Sequence, residues 1–378
     1  MGPKMGPTLR TTPGVCLREL FGSCSATPLR TMCDDQIVRE REKRFTPVLM
    51  CDLLASQFTM GAFSPLLAAP CSDITRHAVE LRDRGFTVIR NSGLDATLVA
   101  AAQTACSAEF ERLQDMIVRL GLDPVEDSYA FEEIDRRHRN RWSFQPPPSA
   151  LAPLLDMSVP LATRVIRTLH TLKPHPDDAG LAPAWAEPLL PAQPIVRHVG
   201  AITSRPGAAA QKFHADAGDR LLKLGQLHRR HRMFNIFIPL VELAEGGTGT
   251  MMWPGSHLAR TRAAAYQAAI ERSGTLEADE AVMAEMEVPG CQAGGIILFD
   301  FRLLHRGQPN DTNDERTLVH AFLSTGFATD GTITHKPGSL SAALDALPHD
   351  PLARSKATAR MAATQREAWL RFRTHSAN

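Results

Sequence analysis

Met233-Phe234-Asn235-Ile236-Phe237-Ile238-Pro239-Leu240-Val241 is the stretch whose reading decides the fold. Phe234, Ile236, Ile238 and Leu240 alternate with Asn235, Phe237 and Pro239, which is the period of a strand. Pro239 has no N–H to pair, so it marks a bulge or the end of the ladder. Short strand patterns continue on both sides. Upstream stand Ile195 to Ser204 and Gln211 to His214. Downstream, Gly246-Gly247 turns the chain into Thr248 to Trp253, and Pro254-Gly255-Ser256 turns it again. A helical insertion over about Ala259 to Glu285 then precedes strands at Gly295 to Phe301 and Arg316 to Phe322.

The N-terminal half reads differently. Ser72 can cap a helix that places Ile74, Ala78 and Leu81 on one face and stops at Gly85. Phe86 to Arg90 is a short strand. A second amphipathic helix follows Asp95, with Val99, Ala102, Cys106, Phe110, Leu113 and Ile117 at helical spacing. Pro146-Pro147-Pro148 and the stretch from Pro174 to Pro194 read as loops. Helices first and antiparallel strands afterwards predict an α+β fold with a β-barrel or sandwich core. The chain divides into an N-terminal extension (1–70), a main domain (71–335) and a C-terminal helical tail (336–378).

Composition narrows the function classes. Of 378 residues, 43% are hydrophobic and 22% charged, as in a globular protein. A net charge of +1 gives no basis for a dedicated nucleic-acid binder. No apolar run in the sequence is expected to be long enough for a membrane helix. Seven cysteines without paired spacing fit free thiols in a reducing compartment. The first 33 residues hold Lys4, Arg10, Arg18 and Arg30 against a single acid, Glu19. A transit segment and a disordered tail account for that composition equally well. The expected location is cytoplasmic or organellar, not secreted.

The chemistry concentrates at His214-Ala215-Asp216, His305 and Arg316. On a strand His214 and Asp216 point to one face. A distant strand, Gly294-Gly295-Ile296-Ile297-Leu298-Phe299-Asp300, leads to His305 and can deliver a third ligand. Two imidazoles and a carboxylate on one face of an octahedral metal leave three positions open. That favours Fe(II) in an oxygen-activating site over closed tetrahedral zinc. Alone, the H-x-D pattern would more often be a surface ion pair. Arg316 offers a planar fork for a carboxylate such as the far end of 2-oxoglutarate.

From about residue 72 to 327 the chain resembles the phytanoyl-CoA dioxygenase family of Fe(II)- and 2-oxoglutarate-dependent oxygenases. The matching stretches are Phe213-His214-Ala215-Asp216, Asn235-Ile236-Phe237-Ile238-Pro239-Leu240, Trp253-Pro254-Gly255-Ser256-His257, and Gly294 to Phe299 with His305 and Arg316. The resemblance implies a double-stranded β-helix, a jelly-roll barrel of the cupin kind, with N-terminal helices packed outside. It implies His214, Asp216 and His305 as iron ligands and Arg316 on the distal carboxylate of 2-oxoglutarate. The implied reaction hydroxylates a small molecule with dioxygen and releases succinate and CO2. The ligand aspartate is present, which disfavours the halogenation seen where a small residue replaces it. One departure stands out. Gly307 occupies the place, two residues after the distal histidine, where members often carry a hydroxyl, so a second bond to the carboxylate must come from elsewhere, with Thr317 or a water as candidates.

Other residues compete for roles. His257 is better read as fixing a turn than as a ligand, and His320 as a packed histidine. Asn235 is expected to line the pocket as an amide donor to the co-substrate, or else to be a strand-end polar residue. Arg136 to Trp142 is a basic run, either a clamp for an anionic substrate or a solvated helix end paired with Glu132, Glu133 and Asp135. His228 to Arg232 could form a lid. Two rival functions remain at this level: a noncatalytic metal-binding scaffold and a zinc hydrolase.

Overall fold

The computed structural model describes residues 73–173, 175–178, 194–216, 233–324 and 338–377. The extension 1–70, the proposed cap Ser72, the lid residues 228–232 and most of the loop between Pro174 and Pro194 lie outside them. The helices α1 (Ile74–Arg84), α2 (Ala96–Arg119) and α3 (Pro148–Thr171) precede most of the sheet. Asp73 caps α1 by accepting from the Arg76 N–H at 3.2 Å, and Asp95 caps α2 by accepting from the Thr97 N–H at 2.6 Å. Gly85 ends α1 at φ +82, and a Cβ there would stand 2.5 Å from His257 Nδ1. Both the left-handed backbone and the close approach require glycine.

The strands are β1 (Phe86–Ile89), β2 (Ile134–His138), β3 (Arg141–Phe144), β4 (Ile195–Ser204), β5 (Met233–Pro239), β6 (Thr250–Met252), β7 (Ile296–Asp300), β8 (His305–Gly307) and β9 (Arg316–Ser324). Seven form one antiparallel sheet in the order β1-β7-β5-β9-β4-β3-β2, while β6 and β8 pair separately. The architecture is therefore mixed α/β with a large antiparallel sheet. Gln211 to His214, expected as a strand, contributes only an isolated bridge at His214. The insertion before β7 is two helices, α4 (Ala259–Ser273) and α5 (Glu280–Glu285), parted at Gly274.

Strand alternation gives the large sheet two unlike faces. One carries Phe234, Ile236, Leu298, Val319, Trp142 and Phe144, and the N-terminal helices cover it. The Phe110 ring on α2 lies 5.2 Å from Trp142 and 5.3 Å from Phe144. The other face carries Phe86, Ile297, Phe299, Phe237 and Leu318, which pack with Met252 of β6, Leu303, Leu243 and Cys291. The second core thus lies between the large sheet and the small one.

Three sequence expectations need correction. Pro148 is not in a loop but begins α3, with Pro153 and Pro160 inside the helix. This helix is apolar and long enough to cross a membrane by length and composition, contrary to the sequence reading. Half of its apolar window is buried in the protein, against α1 and α2, as in a core helix. Arg136 to Trp142 is not a helix end but the β2–β3 hairpin, turned at Asn140 with φ +58. Within it Arg137 pairs with Asp135 at 3.2 Å, whereas Glu133 caps α6 (Leu340–Asp345) by accepting from the Leu340 N–H at 2.7 Å. The last helix, α7 (Pro351–Ala377), is tied to β2 by the Trp369 indole N–H donating to the Arg136 carbonyl at 2.7 Å.

The packing of α2 on β3 makes a measurable claim. Phe110→Ala should lower the unfolding free energy by about 3–5 kcal/mol in urea titrations. Val118→Ala, at a position 57% exposed on the same helix, should change it by less than about 0.5 kcal/mol. Equal effects from the two would contradict this helix orientation.

Candidate metal centre

The segments carrying His214 and His305 are clipped together by their own backbones. The His214 N–H donates to the His305 carbonyl at 3.0 Å, and the His305 N–H returns a bond to the His214 carbonyl at 2.9 Å. Their imidazole centroids are consequently 4.5 Å apart. Asp216, two residues along, brings Oδ1 to 3.8 Å from His214 Nε2 and Oδ2 to 3.6 Å from His305 Nε2. One potential ligand atom from each residue lies within 4.8 Å of the other two, and this is the only such cluster of three among the described residues.

The tautomers suit a cation. His214 Nδ1 lies 2.9 Å from the Lys212 carbonyl, and His305 Nδ1 lies 2.9 Å from the Leu303 carbonyl. A carbonyl oxygen only accepts, so both Nδ1 atoms carry hydrogen and both Nε2 lone pairs are left for a metal. Loss of hydration, and then the adjacent His305, push the His214 imidazole down to about 4, so it is neutral near pH 7 even though one edge of its ring reaches solvent. Asp216 supplies the negative charge. The donor set therefore fits a divalent cation.

Surrounding residues hold these three in place. Asn235 is fully buried, and its amide Nδ2 donates to Asp216 Oδ2 at 2.6 Å. The amide expected to face a co-substrate is thus committed to the carboxylate. The Trp253-Pro254-Gly255-Ser256-His257 stretch holds the approach to His305. The Trp253 N–H donates to the Leu304 carbonyl, and the Leu304 N–H donates to Ser256 Oγ, both at 2.9 Å. His257 lies outside the cluster, with Nε2 3.0 Å from the Arg82 carbonyl. His320 is buried among His198, Phe237 and Phe322.

Arg316 is 7% exposed. Its Nη1 donates to the Gly249 carbonyl at 3.1 Å and its Nη2 to Ser204 Oγ at 3.3 Å. Burial pushes its pKa down to about 10. No carboxylate pairs with it among the described residues. Thr317 cannot supply the missing hydroxyl. Its side chain lies on the opposite sheet face, with Oγ1 2.6 Å from Thr203 Oγ1. The hydroxyl beside Arg316 belongs to Ser204, which the sequence reading missed. The signal that could have found it is cross-strand register, which places Ser204 opposite Arg316, and one sequence does not display register.

A large antiparallel sheet, beside which two imidazoles and a carboxylate meet, defines a mixed α/β protein with a candidate metal centre. The model of the phytanoyl-CoA dioxygenase (PhyH) family matches residues 81–318, and the chain belongs to that family. Among curated protein sequences none matches it significantly. Similar solved structures include AviO1 from Streptomyces viridochromogenes Tue57, at 17% identity over 69% of this chain and 99% of that one, with a TM-score of 0.42. EvdO2 from Micromonospora carbonacea var. aurantiaca, complexed with 2-oxoglutarate, aligns at 16% identity over 69% and 95%, with a TM-score of 0.37. SnoK, a non-heme alpha ketoglutarate dependent carbocyclase from nogalamycin biosynthesis, aligns at 14% over 74% and 96%, with a TM-score of 0.41. At such values the family match and the site's own geometry carry the functional reading.

Asn235→Ala should weaken binding of one equivalent of Mn(II) by about 10–100-fold, read by equilibrium titration, because the ligand carboxylate loses the donor that orients it. An unchanged affinity would show that Asp216 is held without this amide.

Proposed function

We propose that the protein is an Fe(II)- and 2-oxoglutarate-dependent dioxygenase that hydroxylates a small molecule and releases succinate and CO2. The observation that carries this reading is the presence of two groups together in this fold. His214, Asp216 and His305 converge with both Nε2 lone pairs free, and a buried guanidinium without a carboxylate partner among the described residues, Arg316, stands on the same face of the large sheet as Asn235. A zinc hydrolase needs the first feature and has no evident use for the second. The β6–β8 pair opposite the large sheet, with a core between them, supports assigning the strands to a double-stranded β-helix.

Each residue then has a task. His214, Asp216 and His305 would hold the iron. Arg316 would bind the distal carboxylate of 2-oxoglutarate, fixing its orientation so that its keto-acid end meets the iron. Asn235 would keep Asp216 turned inward. Phe299, whose ring stands edge-on 5.0 Å from His305, and Phe237 behind it would limit water on the inner side. Bound iron and 2-oxoglutarate supply oxygen activation coupled to decarboxylation of the co-substrate. Near-neutral net charge supports a small-molecule substrate over a nucleic acid.

The test is a metabolite-extract screen under air with Fe(II) and 2-oxoglutarate. Succinate should appear in an oxygen- and substrate-dependent manner, with product heavier by one oxygen, and His305→Ala should reduce it to background. Product lighter by two hydrogens would point to desaturation or ring closure. Activity with zinc alone and no oxygen requirement would establish the hydrolase instead, and metal binding without turnover across broad pools would favour the scaffold.

A further inference from the structure

The sheet face that carries Asn235 opens at one point beside the metal centre. Strand β5 is buried along its whole length, and every residue of β9 is buried except Phe322, which is half-buried. Phe322 stands in register with Asn235 of β5 on one side and with His198 of β4 on the other. Cross-strand partners share a face, and His198 too is half-buried. Asn235 is the residue whose amide holds Asp216, so this opening begins one strand away from the support of a candidate ligand.

Rings fill it. The centroids of His198 and Phe322, of His198 and His320, and of His320 and Phe322 are each 5.3 Å apart, with the planes inclined at 38°, 38° and 41°. His320, 1% exposed, forms the floor. Its register partner on β4 is Gly200, where a Cβ would stand 2.8 Å from His320 Nε2. A side chain at 200 would therefore displace the floor ring. Strand β4 is also bulged between Val196 and His198, a device that re-aims a side chain at the edge of a site. An ordinary core is filled with aliphatic bulk and rarely with imidazoles. Here two imidazoles and a phenyl ring meet at an inclination at which aromatic groups attract one another, and a further ring gains the same attraction at the exposed side.

We propose that Phe322, His198 and His320 form the subsite for the substrate to be oxidised, and that this substrate lays an aromatic ring against them. The proposal rests on the dioxygenase reading above and adds a substrate class to it.

The experiment is NMR relaxation on full-length protein loaded with Mn(II) and 2-oxoglutarate, with the Zn(II)-loaded protein as the diamagnetic reference. The probes are benzyl alcohol and cyclohexylmethanol, which have the same number of heavy atoms and differ in the aromaticity of the ring. Wild type should bring the ring protons of benzyl alcohol close enough to Mn(II) to relax them, with an affinity roughly two- to tenfold above that for cyclohexylmethanol. Phe322→Leu keeps apolar bulk and should remove most of that preference, changing cyclohexylmethanol by less than about twofold. His198→Ala, at a half-buried position, should reduce the preference in the same direction, and it stands in if the Leu variant does not fold. Equal binding of the two alcohols by wild type, no Mn(II)-dependent relaxation of either, or variants that keep the preference or weaken toward both alcohols equally would each overturn the proposal. Wild type that takes up neither Mn(II) nor 2-oxoglutarate would defeat the dioxygenase reading and the proposal with it, whereas uptake of both without benzyl alcohol would defeat the proposal alone.

Discussion

Two reciprocal backbone hydrogen bonds, between His214 and His305, are the constraint on which the site depends. They join segments far apart in the chain and set the two imidazoles side by side. Because the side-chain Nδ1 atoms are also tied to carbonyls of their own segments, ring position and tautomer are set by main chain. A site built this way is organised by the fold, so a cation entering it does not have to order loose side chains first. The Trp253 to His257 turn serves the same end from the other side, since its backbone and the Ser256 hydroxyl hold Leu304 next to His305.

The sequence carried the strands and the ligand set for different reasons. Alternation at Phe234 to Leu240 was visible because β5 is covered on both faces, by helices on one and by the second core on the other. The candidate ligands were visible because metal chemistry restricts residue type, and the close His214-Ala215-Asp216 spacing holds although the segment forms only an isolated bridge at His214. The helix α3 was hidden by its prolines, which read as breaks. Its burial against α1 and α2 outweighs the backbone bonds that Pro153 and Pro160 cannot make. The hairpin at 134–144 was hidden by its charges. Four arginines suggest a solvated surface, yet Arg141 is buried and Arg137 is paired with buried Asp135. Neither pairing is local in a way that a periodicity can reveal.

The site also divides its charge. At the candidate metal centre stand one carboxylate and two imidazoles; on the face of the large sheet that carries Asn235 stand Arg141 and Arg316 around Ser204. The overall charge of the chain, +1, conceals this polarity.

Buried polar groups normally find partners within the fold, and those that do not mark where a fold has been shaped for something outside itself. Asn235 meets that description in part, with its amide on Asp216 and its Oδ1 buried without a hydrogen-bond partner. Arg316 and Arg141 do find hydrogen-bond partners in the fold, in Ser204 and in backbone carbonyls, but a guanidinium in the interior is stabilised by such groups far less than by an opposing charge. A fold selected only for stability could replace both arginines with apolar residues of similar volume and gain by it. Both are nevertheless kept, in register with Ser204 across three strands and beside a glycine, Gly307, that makes room for one of them, with no carboxylate paired to either among the described residues.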